Sequence, residues 1–232
     1  MMNYKDVYVW GDCHGHWTAL DNFIKTYNIK NSLIIQVGDM GVGMRSLLFE
    51  QYKFRDDCSK VLAESNNYLM VVRGNHDDPA LFVANSPLNS EYIELVPDYT
   101  YRTINGKSFL FAGGAISVDR PFRKLNLDYW INEPFHLPED YLNLKCCDVL
   151  ITHSAPSICF PSDGFTRVRP FIMADPTLEP ELLQEREDLT TLFYAVRPSL
   201  YYYGHFHMPK LEEINGCMCR ALEINEFAKI NL

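Results

Sequence analysis

Val7-Tyr8-Val9-Trp10-Gly11-Asp12-Cys13-His14-Gly15-His16 sets how the rest of the chain is read. Val7 to Trp10 is a short β-branched and aromatic run, the composition of a buried strand. Gly11 ends it, and an amphipathic segment from Trp17 to Tyr27 follows, with Leu20, Phe23 and Ile24 on one helical face. Asp12 and His14 therefore fall in a strand-to-helix loop. In open α/β sheets, loops at the carboxyl ends of strands are where ligands bind. Asp-x-His offers a hard oxygen and an imidazole nitrogen close together. By itself Asp12 could equally cap the next helix.

Further along, the pattern repeats. Leu33 to Val37 is a second apolar run, and it ends in Gly38-Asp39-Met40-Gly41. A helix is expected from Arg45 to about Ser65. Tyr68 to Val72 is a third strand, ending in Arg73-Gly74-Asn75-His76-Asp77-Asp78-Pro79. Strands alternating with helices predict a parallel sheet. The rhythm then shortens to Tyr92–Leu95, Thr100–Ile104 and Ser108–Ala112. Asn105-Gly106 is a strong hairpin signal, so antiparallel pairing is expected here. Gly113-Gly114 leads into a long loop through Trp130 to Pro138.

Asp148 to Thr152 is another buried strand, stopping at His153. The proline-bearing stretch 157–180 reads as an irregular rim or lid. Glu181 to Val196 reads as a helix, and Leu200 to Tyr203 as a strand that delivers Gly204-His205-Phe206-His207. Histidine is the commonest side-chain metal ligand near neutral pH. Asn215-Gly216 sets a terminal hairpin, followed by a strand. No repeat or linker divides the chain, so residues 1–232 are expected to form one domain.

Composition narrows the functional classes. A formal charge of −9 argues against a general nucleic-acid binder. No apolar run is long enough to span a bilayer, and no signal peptide precedes Val7. The seven cysteines lack a disulfide framework and suit free thiols in a reducing cytoplasm. Cys217-Met218-Cys219 reads as a strand with two small apolar side chains on one face.

The strand-end residues collect as Asp12, His14, Asp39, Asn75, His76, His153, His205 and His207, five of the chain's seven histidines among them. Oxygen and nitrogen donors without thiolates suit two first-row divalent ions such as Mn, Fe or Zn. A shared carboxylate could bridge ions about 3.5–4 Å apart, as in two-metal phosphatase and nuclease sites.

The ordered series Gly-Asp-x-His-Gly, Gly-Asp, Gly-Asn-His-Asp, His and Gly-His-x-His resembles the calcineurin-like metallophosphoesterase superfamily, from Gly11 to His207. The resemblance implies an α/β fold, a four-layer αββα sandwich of mixed sheets with flanking helices and a terminal β-hairpin. It implies that one ion is held by Asp12, His14 and His207, a second by Asn75, His153 and His205, with Asp39 bridging. Manganese is the first choice of metal, with Fe, Zn and Ni as the others. It implies a phosphoric ester hydrolase in which a metal-bridging hydroxide attacks phosphorus in line. His76 is similar to the family's proton donor, and Asp77 either orients it or caps the local turn.

The chain departs from the phosphoprotein phosphatase branch. Gly38-Asp39-Met40-Gly41-Val42-Gly43-Met44-Arg45 lacks that branch's second Asp and its Arg, and Arg45 stands two positions late. Phosphate-binding cations are expected instead from Arg120 and Arg123, after the Gly-Gly loop; the other reading of both is surface pairing with Asp119 or Asp128. Trp130, Phe135, Phe160 and Phe165 lie in long loops, where they would stack on a base or anchor those loops. Cys13, between two candidate ligands, is expected to make the site oxidation-sensitive. The functions in play are a phosphomonoesterase, a phosphodiesterase or nuclease, and a non-catalytic scaffold. The partner is a phosphate ester rather than a membrane, nucleic acid is a lesser candidate, and the oligomeric state is open.

Overall fold

The computed structural model describes residues 2–44, 48–161 and 164–232. Its first sheet is built by β1 (Val7–Trp10), β2 (Leu33–Gln36), β3 (Tyr68–Val71) and β4 (Ile93–Leu95). These four run parallel, and β11 (Phe227–Ile230) closes the other edge antiparallel to β1. The second sheet contains β5 (Thr100–Ile104), β6 (Lys107–Ala112), β7 (Val149–Thr152), β8 (Leu200–Tyr203), β9 (Lys210–Ile214) and β10 (Cys217–Ala221). Its order is β5-β6-β7-β8-β10-β9, with β6, β7, β8 and β10 parallel and the two edge strands antiparallel.

Side chains two residues apart on a strand share a face, and that period builds the layers. Val7, Val9, Leu33, Ile35 and Met70 point inward from the first sheet. They meet Phe109, Phe111, Val149, Ile151 and Tyr202 of the second. The intervening residues of the first sheet, Trp10, Ile34, Leu69 and Val71, point outward. They are covered by Leu20 and Ile24 of α1 (Thr18–Tyr27) and by Phe54 and Leu62 of α2 (Leu48–Ser65). Leu110, Leu150, Tyr201, Tyr203, Cys217 and Cys219 face α4 (Leu178–Val196) through Leu189, Leu192, Phe193 and Val196. The result is the expected αββα order, with two mixed sheets face to face and helices on both outer surfaces.

Two local expectations change. First, α3 (Gly164–Ala174) occupies part of the stretch expected to be irregular, despite Pro170 inside it. Val168, Phe171 and Ile172 lie at helical spacing and pack on Ile116, Leu178 and Leu182, so tertiary burial outweighs the lost N–H of the proline. α4 accordingly starts at Leu178. Second, β4 pairs parallel to β3 rather than joining the antiparallel group. The strand after the terminal hairpin also forms, and it pairs with β1, which the sequence had left open. Both Asn-Gly hairpins form as expected, with positive φ at Asn105, Gly106, Asn215 and Gly216. The expected start of the second helix at Arg45 falls outside the described residues. Among those described, no helix is long and apolar enough to cross a membrane.

Candidate metal centre

The carboxyl ends of β1, β2 and β3 are adjacent in one sheet, and those of β7 and β8 in the other. Their loops therefore converge at one end of the sandwich. The backbone there is strained: His14, Asp39, His205 and His207 all have positive φ, a conformation that costs non-glycine residues free energy and recurs at functional sites. Among the described residues, seven of the other nine with positive φ are asparagines, which tolerate it. Two glycines make room. A Cβ on Gly74 would overlap the Asp39 carboxylate, and one on Gly204 would overlap that of Asp12.

Two clusters result, and they share Asp39. Asp12, His14, Asp39 and His207 form one, and Asp39, His153 and His205 the other. In the first, His207 Nε2 lies 3.0 Å from Asp12 Oδ2 and 3.0 Å from His14 Nε2. His14 Nε2 is 3.9 Å from Asp39 Oδ2. In the second, His153 Nε2 is 3.2 Å from Asp39 Oδ1. Asn75 Oδ1 joins it, 3.2 Å from His153 Nε2 and 2.9 Å from His205 Nδ1. The groups behind these donors orient them. His153 Nδ1 donates to the Val37 carbonyl at 2.9 Å, leaving Nε2 for the cluster. The Asp12 carboxylate accepts the His205 N–H, and Asp39 Oδ1 accepts the His76 N–H at 2.8 Å.

The electrostatics ask for positive charge. Asp12 and Asp39 are buried. Among the described residues no lysine or arginine pairs with either; their ion-pair partners are histidines. A buried carboxylate needs a partner of opposite charge or a metal. Burial pushes the Asp39 carboxyl up, yet His153, His76 and His14 together hold it well below the usual range. Burial also opposes charge on His153, but Asp39 and Asp12 push that imidazole up to about 10. The two carboxylates thus favour positive charge at His153 Nε2, where a proton and a divalent ion would exclude each other. His205 is driven well below its ordinary range by burial and by His153, so it is neutral and able to ligate. The donor set, hard oxygens and imidazoles in two groups around one carboxylate, fits a pair of divalent ions.

His76 sits at the edge of these clusters, its Nε2 3.9 Å from Asp39 Oδ2. Arg123 reaches it: Nη2 lies 2.7 Å from His76 Nε2 while Nε pairs with Asp119 and Nη1 donates to the Asp128 carbonyl. Arg120 is placed elsewhere, which corrects the expectation that it grips phosphate. Its guanidinium holds Asp175, Glu181 and Thr177, tying the 3-10 turn Arg120–Phe122 to the start of α4. For Asp77 the contacts match the second of its two readings, a cap on the local turn, and not the first. Asp77 is buried, and its two oxygens accept N–H groups from Gly74, Met40, Gly41 and Val42. It staples the β2 loop to the β3 loop instead of orienting the His76 ring.

Several other expectations resolve. Trp130 and Phe135 are buried anchors. Phe160 lies under the Arg186 guanidinium, 3.6 Å from it; the side chain of Phe165 lies outside the described residues, as does Arg45. Cys13 is buried and burial raises its thiol well above the ordinary range, so the reactive thiolate is suppressed, contrary to the expected sensitivity. Arg73, despite its position before Gly74, is directed to Asp98 and the carbonyls of Glu133 and Pro134. Sequence reading missed Gln36, whose amide links Gly11 and Gly38, and also Ser117 and Glu133 behind Asn75. A buried glutamine at a strand end preceding Gly-Asp was the available signal for the first.

The sequence pattern of calcineurin-like phosphoesterases matches residues 6–209. This chain belongs to the calcineurin-like phosphoesterase family. Members of the family use two metal ions, and the two donor clusters are this phosphoesterase's candidates for them. No curated protein sequence matches it. Among solved structures, one crystal structure is similar with a TM-score of 0.57 and 14% identity, covering 98% of this chain and 95% of its own. An archaeal phosphodiesterase covers 98% and 99% at 14% identity, TM-score 0.41. Phosphopantetheinyl hydrolase from Mycobacterium tuberculosis covers 95% and 90% at 13% identity, TM-score 0.42. At these identities the likeness is one of fold.

Proposed function

We propose that this phosphoesterase is a dinuclear-metal-dependent hydrolase of phosphate esters, acting first on monoesters. The observation that carries the reading is the pair of buried carboxylates, Asp12 and Asp39, facing imidazoles with no lysine or arginine paired to either among the described residues. Asp12, His14 and His207 would hold one ion, Asn75, His153 and His205 the other, and Asp39 both. Bound there, the ions would supply Lewis acidity toward the phosphoryl oxygens and a nucleophile at neutral pH. Manganese suits the hard, thiolate-free donors.

The chain's own residues do the rest. Arg123 is the guanidinium that hydrogen bonds bring to the site, and its fork suits the transferring phosphoryl group. A monoester presents more negative charge there than a diester, which favours the monoester. His76 is positioned to protonate the leaving oxygen. The narrow, loop-anchoring roles of Trp130 and Phe135 weigh against a base-stacking groove, so a phosphodiesterase or nuclease is the second reading. A soluble cytoplasmic setting is supported by seven free thiols.

The test is turnover of p-nitrophenyl phosphate and bis-p-nitrophenyl phosphate, side by side, on Mn²⁺-loaded protein. Faster monoester turnover is expected. Diester preference would move the assignment to a phosphodiesterase, and neither activity nor bound metal would leave a scaffold of this fold.

A further inference from the structure

Asparagine is an ambiguous metal ligand. Its amide offers a carbonyl oxygen on one side and an NH₂ on the other, and only the oxygen can ligate. Something must therefore decide which way Asn75 faces. Its Oδ1 points at His153 Nε2 and His205 Nδ1, and its Nδ2 donates to Ser117 Oγ at 3.1 Å. A hydroxyl alone does not settle the matter, because Ser Oγ can accept from an NH₂ or donate to a carbonyl. Behind Ser117 lies Glu133. Its carboxylate accepts the Ser117 backbone N–H at 2.8 Å and the Trp130 N–H at 3.2 Å, which holds it close to the Ser117 side chain. Asn75, Ser117 and Glu133 are all buried, so bulk water does not compete for these bonds.

The donor and acceptor roles then propagate in one direction. A serine hydroxyl turned toward that carboxylate would donate to it. The serine oxygen, its proton so directed, accepts from the asparagine NH₂. The asparagine oxygen is left facing the cluster. We propose that Ser117 and Glu133 are positioning residues that fix the amide of Asn75 with its oxygen toward the second metal position. This rests on the metal-dependent reading above and concerns one of its two positions only. Glu133 has a second reach: its carboxylate accepts the Trp130 N–H and its backbone carbonyl accepts from Arg73 Nη1.

The experiment is a Mn²⁺ titration of the metal-free chain by calorimetry, with folding followed by circular dichroism. The wild type is expected to bind two ions in separable classes. Ser117→Ala is expected to weaken one class about 10–100-fold, the usual cost of losing such a partner, and to leave the other unchanged. Glu133→Gln, which no longer dictates the serine proton, is expected to weaken the same class. The decisive arm is Asn75→Asp. A carboxylate has no NH₂ end to misplace, so adding Ser117→Ala to Asn75→Asp should cost no further affinity. If Ser117→Ala costs the same factor in both backgrounds, or weakens both classes equally, the role is general packing and the proposal is overturned. Unchanged binding by folded Ser117→Ala overturns it too. Should Ser117→Ala not fold, Glu133→Gln alone and with Asn75→Asp decides by the same comparison. A wild type that binds no metal would overturn the functional reading with it, whereas normal wild-type binding with indifferent variants overturns only the positioning role.

Discussion

Because a guanidinium can only donate, the 2.7 Å contact from Arg123 Nη2 requires His76 Nε2 to accept. The ring proton is then on Nδ1, which faces Met44 Sδ at 3.2 Å. Burial lowers His76 below the ordinary imidazole range, and Arg123 adds to that, while Asp39 opposes it. So the ring is neutral while Arg123 is docked on it. A phosphate ester competing for the guanidinium would free Nε2 to take up a proton, which the ring must gain before it can protonate the leaving oxygen. Arg123→Ala is expected to raise KM for a monoester about 10–100-fold, the worth of a charge-assisted hydrogen bond. Steady-state kinetics checks it, and an unchanged KM would remove Arg123 from substrate binding. Lysine should restore little, since one ammonium cannot hold Asp119, the Asp128 carbonyl and His76 together. His76→Ala is expected to keep metal content and lose turnover, least with an activated leaving group such as p-nitrophenolate. Equal losses on activated and unactivated esters would contradict the proton-donor role.

At the scale of elements, the site depends on strand-end loops being tied to one another. Asp77 accepts four backbone N–H groups from two loops, Met40, Gly41 and Val42 after β2 and Gly74 after β3. Asp77→Asn replaces one carboxylate oxygen with a donor and leaves some of these N–H groups unsatisfied. A loss of about 1–3 kcal/mol is expected, read from urea unfolding of the metal-free protein. A variant as stable as the wild type would mean that the loops hold without the staple. The inter-sheet layer behaves differently. Phe109 is fully buried between the sheets, so Phe109→Ala should cost about 3–5 kcal/mol by cavity formation, with no direct effect on the donors.

Across the whole molecule, the second sheet and α4 enclose a carboxyl that makes stability depend on pH. Glu185 is buried against Ser154, the Phe135 N–H and Ile116, and burial pushes it up to about 7 from an ordinary 4.5. Between those values the folded chain keeps a proton that the unfolded chain has released. Its contribution therefore favours folding below about pH 4.5 and is lost as pH rises through about 7. Glu185→Gln removes that dependence. Urea unfolding at pH 5 and pH 8 should show the variant gaining on the wild type by up to about 3 kcal/mol at the higher pH. Parallel pH profiles would refute the assignment.

The order of strands and loops, and the donor residues at their ends, were legible in the sequence because both follow from local rules. Period-2 and period-3.6 apolar patterns mark elements, and glycine with a donor marks each strand end. Thus Asp12, Asp39, Asn75, His153 and the His205–His207 pair could be collected before any contact was known. Where Arg120, Arg123 and Asp77 point could not be read this way. Arg120 and Arg123 are three residues apart in one loop, yet one is drawn to Asp175 and Glu181 and the other to His76. That choice is set by partners more than forty residues away, and the helix through Pro170 likewise depends on a distant residue, Ile116, which with nearby Leu178 buries its apolar face. Sequence alone determined the chemistry available to this chain. Tertiary structure decided which groups meet, because burial and charge partners are long-range properties that no local pattern encodes.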